Sequence, residues 1–180
     1  MILVNLYGAP GSGKSTGAAY IFSKLKMAGV NAELVTEFAK DKVWEESKAP
    51  FDNQAYMFGK QYFRISRCAD KVDVIVTDSP LPLSIFYNST SILGKEFNEM
   101  VMKVNNSFER MDYLIVRCKP YNPNGRFQTE EESNELAAKL VGFLDFYEID
   151  FKPISGNIEG YDKIVEEILY VLKKEKNNDI

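Results

Sequence analysis

The sequence predicts an α/β protein: a parallel sheet with helices on both faces. Three observations carry this. Short apolar runs alternate with helix-period stretches along the chain. The first run, Ile2 to Tyr7, is almost continuously apolar, as a strand covered on both faces requires. A glycine-rich segment, Gly8-Ala9-Pro10-Gly11-Ser12-Gly13, then separates that run from a helical pattern.

The elements follow in order. A helix is expected from Lys14 to Ala28, with Ala18, Ile21, Phe22 and Leu25 inward, and Gly29 stops it. A second strand is expected over Ala32–Phe38, and an irregular or short helical stretch over Ala39–Pro50. The helix over Asn53–Ala69 places Ala55, Phe58, Tyr62, Ile65 and Ala69 at helical spacing as its buried face. Gln54, Met57, Gln61 and Arg64 form the neighbouring stripe. The third strand is expected over Val72–Thr77, with Asp78 at its carboxyl end and Ser79-Pro80-Leu81-Pro82 breaking it. A helical turn follows at Leu83–Tyr87, then a helix over Lys95–Glu109. The fourth strand is Tyr113–Cys118, and Lys119 to Gln128 is a polar loop. Thr129 is an N-cap followed by three glutamates, which suits the dipole of the next helix. A short strand over Asp150–Ile154 and a helix over Tyr161–Lys174 complete the chain.

Composition narrows the function classes. The 180 residues fit one domain, 1–180. There are 22 basic and 26 acidic side chains, a net charge of -4, which disfavours a general nucleic-acid coat. Histidine is absent, so every mechanism with a histidine base or metal ligand is excluded. The two cysteines, Cys68 and Cys118, begin no metal motif and read as reduced thiols of a cytoplasmic protein. No run reaches the roughly 18 apolar residues of a membrane span.

The strongest signal is Gly8-Ala9-Pro10-Gly11-Ser12-Gly13-Lys14-Ser15, followed by Thr16. It has Walker A spacing and lies between a strand and a helix, the context that the pattern demands. Glycines let successive amides turn toward phosphate oxygens, and the helix N-terminus adds a favourable field. Lys14 is expected to reach the β and γ phosphates of ATP, and Ser15 to help hold Mg2+. Thr16 lines the site or caps a backbone group. The fold implied is that of P-loop nucleoside triphosphate hydrolases, with five parallel strands in the order 2-3-1-4-5. Asp78 is the second metal-site candidate, since its strand delivers a carboxylate beside the loop. It either holds a metal-bound water or orients the acceptor.

With these pieces in order, the chain resembles the small-molecule kinase branch of the P-loop proteins. More narrowly, it resembles the AAA-like domain family typified by the ribosylnicotinamide-kinase part of the bacterial NadR protein, which includes compact phage-encoded homologues. The resemblance rests on Gly8 to Thr16, Leu34-Val35-Thr36-Glu37-Phe38-Ala39, the helix with Gln54, Gln61 and Arg64, Val76-Thr77-Asp78-Ser79-Pro80, and Asn124-Gly125-Arg126-Phe127. It implies transfer of the γ phosphoryl group of Mg-ATP to a small nucleoside-like or nucleotide acceptor. Glu37 then takes the position of the acidic residue near the acceptor hydroxyl, in competition with Asp78. Gln54, Gln61 and Arg64 are acceptor-binding candidates, for a base edge, a carboxamide or a phosphate. The loop at about 119–128 corresponds to a lid, and Arg126 is its preferred arginine, ahead of Arg117 and Lys119. A homodimer is compatible with the apolar helical faces.

Two other classes compete. A polynucleotide or modified-base DNA kinase needs separated cations along a groove, and Lys40, Lys42, Lys48, Lys60, Arg64 and Arg67 supply a set interrupted by acids. A regulatory P-loop ATPase needs neither acceptor nor groove.

Overall fold

The computed structural model describes residues 1–47, 49–90, 92–122 and 129–178, with side chains up to Glu175. Five parallel strands form one sheet: β1 (Ile2–Tyr7), β2 (Ala32–Val35), β3 (Val74–Thr77), β4 (Glu109–Val116) and β5 (Lys152–Ser155). Their order is β2-β3-β1-β4-β5, as the glycine loop implied.

Every residue of β1 is buried because both its faces are covered. Ile2, Val4 and Leu6 pack toward the helices α1 (Lys14–Met27) and α7 (Ile158–Asn178). Leu3 packs on the opposite face with Phe58 and Ile65 of α3 (Gln54–Ala69) and with Phe97 and Val101 of α5 (Lys95–Asn105). Tyr7 joins that face beside Leu140 and Leu144 of α6 (Glu130–Phe146). Two shorter helices remain, α2 (Phe38–Trp44) and α4 (Leu83–Phe86), together with a 3-10 turn at Ala49–Asp52.

Several boundaries differ from the sequence expectation, each for a physical reason. β2 stops at Val35 instead of Phe38, because Val35 pairs with Thr77, the last residue of β3. The next amides are claimed by side chains: Asp78 accepts the Glu37 N–H and Gln61 accepts the Phe38 N–H. β4 begins at Glu109, four residues early, because Ile2 to Tyr7 of β1 pair with Glu109 to Leu114. The preceding helix therefore ends at Asn105 and not at Glu109. Asn157 accepts the Gly160 N–H at 2.9 Å and starts α7 earlier than Tyr161. The Thr129 cap is as read: Thr129 and Glu132 exchange side-chain and backbone hydrogen bonds in a capping box.

The largest correction concerns α3. Its buried residues are Gln54, Met57, Phe58, Gln61 and Ile65. Phe58 and Ile65 are buried as expected, but the buried face turns toward the neighbouring stripe, so Gln54, Met57 and Gln61 join it and Tyr62 sits at the surface. Backbone partners for the two amides make that burial tolerable. Both cysteines are free thiols. Among the described residues, no helix is long and apolar enough to cross a membrane.

Candidate active site

The glycine loop leaves β1 and enters α1 at the carboxyl edge of the sheet. Gly8, Gly11 and Gly13 all have positive φ, at 148°, 81° and 108°. Gly13 is additionally fixed by α7: its carbonyl accepts a hydrogen bond from the Tyr161 hydroxyl at 3.0 Å, and a Cβ there would lie 2.5 Å from that oxygen. Neighbouring elements hold the outer side of the loop. Ser133 of α6 donates to the Pro10 carbonyl at 2.7 Å. The Lys14 ammonium donates to the carbonyls of Gly8 and Ala9 at 2.6 and 3.2 Å. Buried Ser12 folds back over Gly8, where a Cβ would lie 2.6 Å from its hydroxyl oxygen.

A cavity of about 530 Å³ opens beside this loop. Pro10, Gly11, Gly13, Lys14, Ser15 and Thr16 form one end. The remainder is walled mostly by rings and apolar side chains: Phe38, Trp44, Phe51, Met57, Phe58 and Tyr87. Glu37, Lys40, Gln54, Gln61, Ser84 and Lys119 supply its polar wall beyond the loop. The location agrees with the rule for open parallel sheets, whose ligands sit beyond the strand ends.

Glu37 lines this cavity, in electrostatic reach of both Lys14 and Tyr87. It precedes α2, yet its side chain caps nothing. Its own amide is held by Asp78, whose Oδ1 accepts the N–H at 2.9 Å. The carboxylate therefore stays available to the cavity. Burial pushes the Glu37 carboxyl above its ordinary value of 4.5; the Lys14 charge opposes this, and the Asp78 charge adds to it. Tyr87 stands close enough to feel the Glu37 charge. Burial of its hydroxyl, with that charge, pushes its pKa up to about 12, although much of its ring is exposed. It remains a protonated donor at neutral pH.

The other expected residues divide. Asp78 is 3% exposed at the end of β3 and braces Glu37 from behind. Gln54 lines the cavity and donates to the Phe51 carbonyl at 3.0 Å. Gln61 also reaches the wall, but its amide is engaged with backbone and Thr77. Arg64 does not line the cavity. It pairs with Asp41, donates to the Thr36 carbonyl at 3.2 Å and lies 5.1 Å from the Phe38 ring centre. Arg126 falls outside the described residues. Arg117 is tied to α6 through Asn134 and Glu130, at 2.5 and 3.1 Å, and lies over the Tyr121 ring.

Sequence reading passed over Tyr87, Tyr161 and Ser133. None belongs to a motif, and each matters only through a partner remote in the chain.

The strand order together with a Walker A loop entering α1 defines a protein of the P-loop nucleoside triphosphate hydrolase fold. The chain belongs to the AAA domain family, whose model matches residues 3–160. No curated protein matches it. Among solved structures, it is similar to deoxyadenosine kinase from M.mycoides with bound dATP. That similarity has a TM-score of 0.54 at 17% identity, covering 97% of this chain and 99% of the other. At that identity the likeness is one of fold.

Proposed function

We propose that this protein is an ATP-dependent small-molecule kinase that phosphorylates a hydroxyl of a nucleoside-like acceptor. The observation that carries the reading is one cavity lined both by the Lys14 end of the phosphate loop and by a set of rings, with Glu37 on its wall in electrostatic reach of Lys14 and Tyr87. A planar ring suits such walls, because aromatic faces and edges pack on one another. A phosphate-loop switch that only hydrolyses ATP has no need of that chamber.

The residues take distinct parts. Loop amides and Lys14 hold the β and γ phosphates and neutralise charge that develops on the equatorial oxygens. Glu37, in its ionised form, accepts the proton of the acceptor hydroxyl as that oxygen bonds to the γ phosphorus and ADP leaves. Gln54 and the rings orient the acceptor. Lys119, on the cavity wall, is one cation for the transferring group, and the sequence resemblance assigns Arg126 to the same part. The NadR-like resemblance supports this division, and the fold likeness to deoxyadenosine kinase is compatible with it.

Magnesium bound with the nucleotide supplies further charge neutralisation. Ser15 at the start of α1 and Asp78 at the end of β3 would hold it, and hydroxyl and carboxylate oxygens are the hard donors it takes. Among the described residues, no three acidic or thiol side chains cluster as a metal cage.

The polynucleotide reading draws less support. Of its cations, Lys42 pairs with Glu45 and Arg64 with Asp41, while Lys60 lies over the Tyr56 ring; Lys48 lies outside the described residues. The test is a transfer screen with γ-labelled ATP against nucleosides, ribosylnicotinamide, nucleoside monophosphates and modified-base DNA, each with a Lys14→Ala control. A Lys14-dependent labelled small product is expected. Label confined to DNA, or released only as phosphate, would refute the reading.

A further inference from the structure

We infer that Gln61 is a positioning residue that fixes Glu37 beside Asp78, and not a contact for the acceptor. The inference rests on the reading that Glu37 takes the acceptor proton.

Gln61 is 5% exposed on α3, and its amide spans two corners of the sheet edge. Its Oε1 accepts the Phe38 N–H at 3.0 Å. Its Nε2 donates to Thr77 Oγ1 at 3.3 Å and, at the limit of reach, to the Thr36 carbonyl at 3.5 Å. Thr36 and Phe38 are the two neighbours of Glu37. Thr77 and Ser79 are the two neighbours of Asp78, and Thr77 Oγ1 also accepts the Ser79 N–H at 3.2 Å. One side chain thus holds the peptide groups on both sides of Glu37 and, through the Thr77 hydroxyl, the Ser79 amide that follows Asp78. Only this orientation of the amide works, because the flipped one would point its NH₂ at a backbone N–H.

The consequence for Glu37 is specific. The first amides of α2 are satisfied from outside, by Asp78 and Gln61. The backbone on both sides of the Glu37 Cα is thus pinned, while the Glu37 side chain caps nothing and lines the cavity. The amide donors of Gln61 are likewise directed at protein oxygens, which leaves them poorly suited to read an acceptor. Arg64 tethers the outer side of the same corner through the Thr36 carbonyl.

The test uses Gln61→Met in the full chain, which keeps volume and removes every hydrogen bond, with Thr77→Val as second variant. Two readouts are taken. One is kcat and KM for the acceptor identified by the screen, across pH. The other is hydrogen exchange of the Glu37 and Phe38 backbone amides by NMR, which requires no acceptor. In Gln61→Met, kcat is expected to fall about 10–100-fold, with acceptor KM within about twofold. Both amides should exchange faster, because the Phe38 N–H loses its partner and the corner beside it loosens, and Thr77→Val should do the same to a smaller extent. A raised acceptor KM with kcat and both exchange rates unchanged would overturn the inference and make Gln61 an acceptor contact. Should the parent protein phosphorylate no acceptor, the kinase reading fails and hydrogen exchange decides alone: faster exchange at Glu37 upholds the positioning role, unchanged exchange overturns it. Should Gln61→Met not fold, Thr77→Val is judged by the same outcomes.

Discussion

Glu37 is held where its charge is costly, and that sets two opposed consequences of removing it. Its carboxyl titrates above 4.5 when folded because burial disfavours the anion. Between the ordinary value and the raised one, the folded chain binds more protons at this site than the unfolded chain. The stability linked to Glu37 is therefore complete below about 4.5 and declines as pH rises through the folded value. Glu37→Gln should accordingly raise the melting temperature at neutral pH, while the parent and variant converge in acid. A thermal scan across pH checks this, and a lower melting temperature for the variant at pH 7 would show the charge to be stabilising. The same raised value predicts that the acid limb of kcat lies above pH 4.5. Tyr87→Phe should leave ATP affinity unaltered and weaken acceptor binding by about tenfold, the worth of one hydrogen bond of about 1.4 kcal/mol.

At the level of elements, the phosphate loop is shaped by two helices that come after it. Gly17 of α1 faces the Tyr161 ring of α7, and a Cβ there would lie 2.6 Å from a ring carbon. Gly17→Ala should therefore displace α7 and destabilise the protein by about 1–3 kcal/mol. For a chain of this size that lowers the melting temperature by about 2–4 °C per kcal/mol. Tyr161→Phe is the gentler test: it removes the hydroxyl that holds the Gly13 carbonyl and should raise the KM for ATP with little change in fold. Neither contact could be read from sequence, since Gly17 and Tyr161 are 144 positions apart. The rotation of α3 was hidden for a related reason. Periodicity weighs side chains by hydrophobicity, and it therefore assigned Tyr62 to the core and Gln61 to a neighbouring polar stripe, as a candidate for the acceptor. The backbone partners that make Gln61 a good core residue come from β2 and β3.

For the whole molecule, the glycine loop and the alternation of elements made the sheet and the loop legible, because both depend on local pattern, and the strand order followed from the P-loop fold that the glycine motif implies. Apolar β1, buried on both faces, anticipated the two layers of helices. The chamber was legible only in part. Glu37 and Gln54 stood out through the resemblance, whereas its ring walls come from separate segments between Phe38 and Tyr87 and carry no shared motif. In the proposed kinase, a chamber built in this way ties phosphate binding to acceptor binding in one space, with Glu37 coupling the two. The most direct measurement is the fate of labelled γ phosphate in Glu37→Gln, with ATP binding measured in parallel. The predicted result is retained ATP affinity with transfer to the acceptor reduced by about 10²–10⁴-fold. Transfer at the parent rate would contradict it.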